Sequence, residues 1–124
     1  MNIILGRENA AMVATKYTVL ELDTLSMDPS QDPVTAYCLI ETTNVNELVI
    51  SDTLKEHHAR MMQNYKTRQW HQCLQDIESL QGSWSGQADS FYDEMSTRIK
   101  NYLQNDPGQD WSPILHQPPK HSGA

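Results

Sequence analysis

Apolar residues recur along this chain with two different periods, and the change from one to the other divides it into two portions. Residues 1–5 open with the run Ile3-Ile4-Leu5, which reads as a short buried strand, and Gly6 breaks it. Residues 7–16 carry Ala10, Ala11, Met12, Val13 and Ala14, a composition that favours helix. Over residues 17–25 the pattern alternates, with Leu20 and Leu22 on the inner side and Glu21 and Asp23 facing solvent. That period of two predicts a half-buried strand. A second β-branched and aromatic run follows over residues 34–41. Between the two lie Asp28, Pro29, Ser30, Asp32 and Pro33, residues that fix φ or cap local amides, so the runs should pair as an antiparallel hairpin.

Residues 42–50 fit either a short edge strand or the lead-in to a helix, and from Thr53 the period becomes helical. Thr53 followed three residues on by Glu56 has the form of a capping box and predicts a helix over residues 53–66. Leu54, His58, Met61, Met62 and Tyr65 share its apolar face. A second helix is expected over 69–81 (Trp70, Cys73, Leu74, Ile77, Leu80) and a third over 87–104 (Ala88, Phe91, Tyr92, Met95, Ile99, Tyr102, Leu103). Gly82 and Gly86 flank Trp84 in the break between them. Short connections make successive helices antiparallel neighbours. The expected fold is therefore α+β: a small antiparallel sheet covered by a three-helix C-terminal portion, all in one domain over residues 1–104. Residues 105–124 hold four of the six prolines and read as an irregular tail. Trp111, Ile114 and Leu115 place part of it against the helices, and disorder is expected beyond Gln117.

Composition narrows the function mainly by exclusion. At 124 residues the chain has the size of a single domain. Its formal charge of −7 opposes direct nucleic-acid binding, which needs clustered cations, and opposes attraction to anionic membrane surfaces. No apolar run approaches the ~20 residues of a membrane span, and the first eight residues lack the pattern of a secretory signal. Cys38 and Cys73 sit in apolar periodic segments, as buried thiols of a reducing cytoplasm do.

Each candidate for chemistry has a plainer counterpart. His57, His58, His71 and Cys73 form a cluster with metal-ligating atoms, but their spacing fits no zinc pattern, and His58 on an apolar stripe suits a core histidine. Asp28, Ser30 and Asp32 offer alternating oxygens without the glycine and distal glutamate of a calcium loop, so a hairpin turn accounts for them. Glu21 and Asp23 lie two apart, as paired carboxylates of acid–base catalysis do, and as solvated strand positions do. Gly6 alone makes no phosphate-binding fingerprint. No enzyme signature emerges, and no cofactor or metal is implied. The aromatic residues crowd the C-terminal half, where Trp84 and Trp111 each fit either a plug in the core or an anchor for a partner.

Residues 65–74, Tyr65-Lys66-Thr67-Arg68-Gln69-Trp70-His71-Gln72-Cys73-Leu74, resemble the turn between the two helices of a tetratricopeptide unit. Trp70 takes the place of the aromatic that opens the second helix, and Cys73 that of the small residue at the helix contact. The tryptophan and glycine of that motif's first helix are absent and only one unit is visible, so the resemblance implies a helical hairpin. The wider pattern also resembles small proteins of marine cyanobacterial phages. Residues 17–24 and 36–41, with Asn64-Tyr65, Trp70, Asp89-Ser90-Phe91-Tyr92 and Arg98-Ile99, carry that resemblance. It implies a viral protein in the host cytoplasm or in the virion, and supplies no site.

These readings lead to a non-enzymatic protein-binding or structural protein, a virion component or a modulator of a host complex. Its expected contact face comprises Trp84, Asp89, Asp93, Glu94 and Trp111, steered to a basic protein surface by the acidic balance. The alternative is a small enzyme or ligand-binding domain with a site assembled around His58, His71 and the strands. A homo-oligomer, the tail of one copy docked on its neighbour, is a further expectation.

Overall fold

The computed structural model describes the backbone of residues 1–41 and 45–116, and the side chains of 1–41 and 49–116. Strand β1 (Asn2–Leu5) leads through helix α1 (Arg7–Val13) to strand β2 (Thr18–Ser26), which turns back as strand β3 (Val34–Ile40). In that turn one Asp28 carboxylate oxygen accepts the Ser30 amide and hydroxyl, which holds the carboxyl below its usual range. This is the hairpin turn of the simpler reading. Helices α2 (Val45–Lys66) and α3 (Trp70–Leu80) follow, then a 3-10 turn (Ser83–Gly86), helix α4 (Asp89–Gln104) and strand β4 (Ile114–His116). The strand order is β1-β3-β2-β4, with β3 antiparallel to both neighbours and β4 parallel to β2. The class is α+β. Among the described residues no helix is long and apolar enough to cross a membrane.

The core lies between the sheet and the helices. Leu20, Leu22, Cys38 and Ile40 meet Met61, Tyr65, Ile77, Tyr92, Met95 and Ile99. Each side chain fully removed from water here contributes about 1.5–3 kcal/mol before conformational entropy is counted. The α2–α3 hairpin implied by residues 65–74 is present, and the Cys73 thiol lies 3.4 Å from the Met61 carbonyl, where a larger side chain would force the helices apart. Burial raises the Cys73 pKa to about 12, so it stays a thiol.

Four expectations are corrected. Helix α2 begins at Val45, eight residues before Thr53, so Thr53 and Glu56 are interior and cap nothing. The ambiguity over 42–50 is thereby settled for helix from Val45 onward. Helix α1 ends at Val13 and not at residue 16. Asp23 does not face solvent. The β2–β3 register shifts between Glu21 and Thr24, so that Leu22 and Asp23 together oppose Ala36. The extra residue breaks the alternation and brings Asp23 to Arg98 of α4. Finally, residues 105–116 are not an irregular tail: Trp111 packs against the helices as expected, but Ile114 to His116 form a strand that completes the sheet. The disorder expected beyond Gln117 falls outside the described residues.

Candidate functional site

His58 is almost fully enclosed, at 2 % exposure. Its Nε2 lies 2.6 Å from the Glu21 carbonyl and its Nδ1 lies 2.9 Å from the Tyr92 hydroxyl. A carbonyl only accepts, so Nε2 carries the proton and Nδ1 accepts from Tyr92, which makes the ring neutral and fully bonded. Trp84, Phe91 and Tyr92 surround it at centroid separations of 5.7–6.2 Å. Burial lowers its pKa, outweighing the Glu21 carbonyl and carboxylate that favour the cation, and neighbouring His57 adds to the lowering. The cluster pins α2 to β2 and α4 and offers no free valence to a ligand.

The sign of the pH dependence follows. Above the ordinary histidine value of 6.5, folded and unfolded chains both keep His58 neutral. Below it the unfolded chain takes a proton that the folded chain refuses, so stability falls as the pH drops from 6.5 toward the lowered folded value. Urea midpoints at pH 7.5 and pH 5.5 should differ in wild type, and His58→Gln should flatten that difference. An equal slope in the two proteins would refute the assignment.

His58 and Cys73 do not meet, since each is bonded elsewhere. His57 bonds Asp76 of α3 at 3.1 Å, and Asp76 also accepts from Asn64 at 2.8 Å and faces Arg60 at 3.5 Å. His71 is exposed on α3. Among the described residues no three of His, Cys, Asp or Glu gather to hold a metal ion.

Asp23 and Arg98 form a paired fork. The guanidinium donates to both carboxylate oxygens at 2.8 and 3.0 Å, and both side chains are 13 % exposed. Arg98 also donates to the Tyr65 hydroxyl at 3.2 Å and pairs with Glu94 at 3.2 Å. Glu21 pairs with Lys66 at 2.6 Å. The two carboxylates of β2 thus tie the sheet to α4 and α2, one each.

The expected contact face separates when placed in the fold. Trp84 is 4 % exposed, a core plug whose burial removes it from any surface. It occupies a left-handed turn, with φ of 52° at Trp84 and 56° at Ser85, conformations that cost a non-glycine residue roughly 1–2 kcal/mol each. Gln87 secures the turn by donating to the carbonyls of Trp84 and Glu41 while accepting the Glu41 amide. Asp89 accepts the Gly82 amide at 2.9 Å, and Asp93 accepts from Gln81 at 2.8 Å, so both carboxylates brace the α3–α4 connection. Trp111 is half-buried in a cage of Tyr65, Trp70 and Tyr102, with centroids 5.2–5.9 Å away. Arg68 closes the cage. It lies 5.8 Å from the Trp111 ring, donates to the Gly108 carbonyl and pairs with Asp106 at 3.0 Å. Its own φ is 63°, at a helix end where glycine is usual, and these three contacts offset that strain. Trp111 is occupied by its own chain.

Free binding capacity lies elsewhere. Two open clefts flank α1, one of about 510 Å³ beside Arg7, Thr35 and Ile114, the other of about 480 Å³ beside Lys16, Tyr17 and Ser51. Neither gathers buried polar groups toward one point. The outer side of β1 is different, because among the described residues no strand pairs with it. Gly6 donates to the Thr35 carbonyl at 2.9 Å, and Gly6, Ile4 and Asn2 share one parity along the strand. In an antiparallel ladder each residue turns its amide and carbonyl to the same neighbour, and successive residues alternate. Ile3 and Leu5 therefore aim their backbone groups outward, and the two residues are 49 % and 43 % exposed. Met1 continues the row at 54 %. The reading of residues 1–5 as a buried strand is right about the strand and wrong about its burial. A signal was present: residues 1–6 contain no charged side chain and no proline, the usual guards of a sheet edge.

Comparison of the chain with family models, with curated proteins and with solved structures gives no match.

Proposed function

We propose that this chain is a non-enzymatic protein-binding protein that recruits its partner by strand addition to the outer edge of β1. The observation that carries the reading is the unguarded edge itself, where outward-facing backbone groups and exposed apolar side chains belong to the same residues, Ile3 and Leu5. Strand addition takes its affinity from main-chain hydrogen bonds and its selectivity from alternate side chains. In the setting implied by the phage resemblance, the protein is a virion component or a modulator of a host complex.

The test is affinity capture from cyanobacterial lysate with wild type and Ile3→Lys side by side. Lysine at position 3 guards the edge and removes an apolar contact. Recovery of a protein by wild type, reduced at least tenfold by Ile3→Lys, supports the reading. Equal recovery by both, or capture of nothing, overturns it when the chain also shows no self-association that depends on Ile3.

A further inference from the structure

The geometry points to a second copy of this chain as the occupant of the β1 edge, joined about a two-fold axis perpendicular to the sheet. This inference rests on the strand-addition reading above and names the partner.

Three observations favour self-pairing. Residues 1–6 carry no ionisable side chain in a chain of net charge −7, so the edge lets two copies meet without setting like charges opposite one another. The edge is also self-complementary. A perpendicular two-fold axis keeps each sheet face on its own side, so residues of like parity must pair, and centring on Ile3 sets Ile3 against Ile3 and Met1 against Leu5. Ile3 of each copy then donates to and accepts from Ile3 of the other, while the Leu5 amide donates to the Met1 carbonyl. The amides and carbonyls used are those of the outward parity. Met1, Ile3 and Leu5 of both copies merge into one apolar row on the sheet face that holds Cys38 and Leu20. Lastly, the opposite edge does not invite growth. Strand β4 has three residues and follows Pro113, so pairing at β1 gives a closed eight-stranded dimer and not a fibre. The chain's own residues 117–124 suit the edge poorly, since they contain Pro118, Pro119 and Gly123 and no β-branched or aromatic residue.

Sedimentation velocity on the full chain over a concentration series tests this directly. Wild type should move from monomer toward a species of roughly 28 kDa, twice the 14.2 kDa of one chain, as concentration rises. Ile3→Lys should stay monomeric throughout, and Met12→Lys, which changes an exposed residue of α1, should dimerise like wild type. A wild type that stays monomeric, or a dimer indifferent to Ile3→Lys, overturns the inference. Cross-linking keeps it testable should the lysine variant misfold. Ile3→Cys should oxidise to a covalent dimer at least tenfold faster than Asn2→Cys, because Asn2 lies across from Ile4 in this register, and Cys38 and Cys73 are buried. Equal rates for the two cysteine variants overturn it. A monomeric wild type whose lysate capture still depends on Ile3 would sink the second copy while leaving strand addition intact. Capture indifferent to Ile3 beside an Ile3-dependent dimer would confine the edge to self-association.

Discussion

Replacing Trp84 by alanine should lower stability by about 3–5 kcal/mol, the range for deleting a buried aromatic. The indole fills space against His58 at 4 % exposure, and its ring edge meets the imidazole at 79°. Two features modify the number. Among the described residues the indole Nε1–H has no acceptor, so part of the native packing gain is already offset by an unmade hydrogen bond. The φ of 52° also remains unfavourable for alanine. Trp84→Gly should therefore be no worse than Trp84→Ala, and milder by up to about 1 kcal/mol, the reverse of the usual ranking. Thermal unfolding of both variants tests this. A Tm change of only about 2 °C for Trp84→Ala would contradict the core role.

The second large effect is expected at Arg98. Arg98→Ala leaves Asp23 buried without its partner and should cost about 3–5 kcal/mol, far more than a surface pair would. The pair's net worth is smaller than that. In the double variant Asp23→Leu with Arg98→Leu both desolvation penalties disappear, and stability should recover to within about 2 kcal/mol of wild type. Urea unfolding of the single and double variants closes the cycle. A single-variant loss below about 1 kcal/mol would mean that water or a shifted Lys66 replaces the guanidinium.

How far the sequence spoke for the structure depended on the range of each signal. Leu20 with Leu22, and Cys73 with Ile77 and Leu80, announce their elements because the period is local, and those elements stand where the pattern puts them. Thr53 and Glu56 misled because a capping box is a pattern of two side chains, and nothing local forbids eight further helical residues before it. Asp23 misled for another reason. One residue inserted against Ala36 reverses its face, and a bulge has no signature in the alternation that it interrupts. Strand β4 is three residues long and exists only because β2 offers it an edge, so no local preference announces it. The aromatic anchors were legible as aromatics and not as anchors. Trp84 and Trp111 satisfy their own chain through His58 and Arg68, contacts that span 26 and 43 positions of sequence. The β1 edge was legible in its lack of charge, but its exposure depends on which strand lies beside β3.

The central claim is that the outward amides of β1 are where this protein meets its partner. Amide hydrogen exchange resolved along one strand tests it most directly. In the dilute chain Ile4, bonded to β3, should exchange slowly, while Ile3 and Leu5 exchange at nearly the rate of an open peptide. On association, whether with a second copy or with a captured protein, Ile3 and Leu5 should slow at least tenfold while Ile4 changes little. Ile3 and Leu5 amides that exchange as fast in the complex as in the free chain would contradict the account.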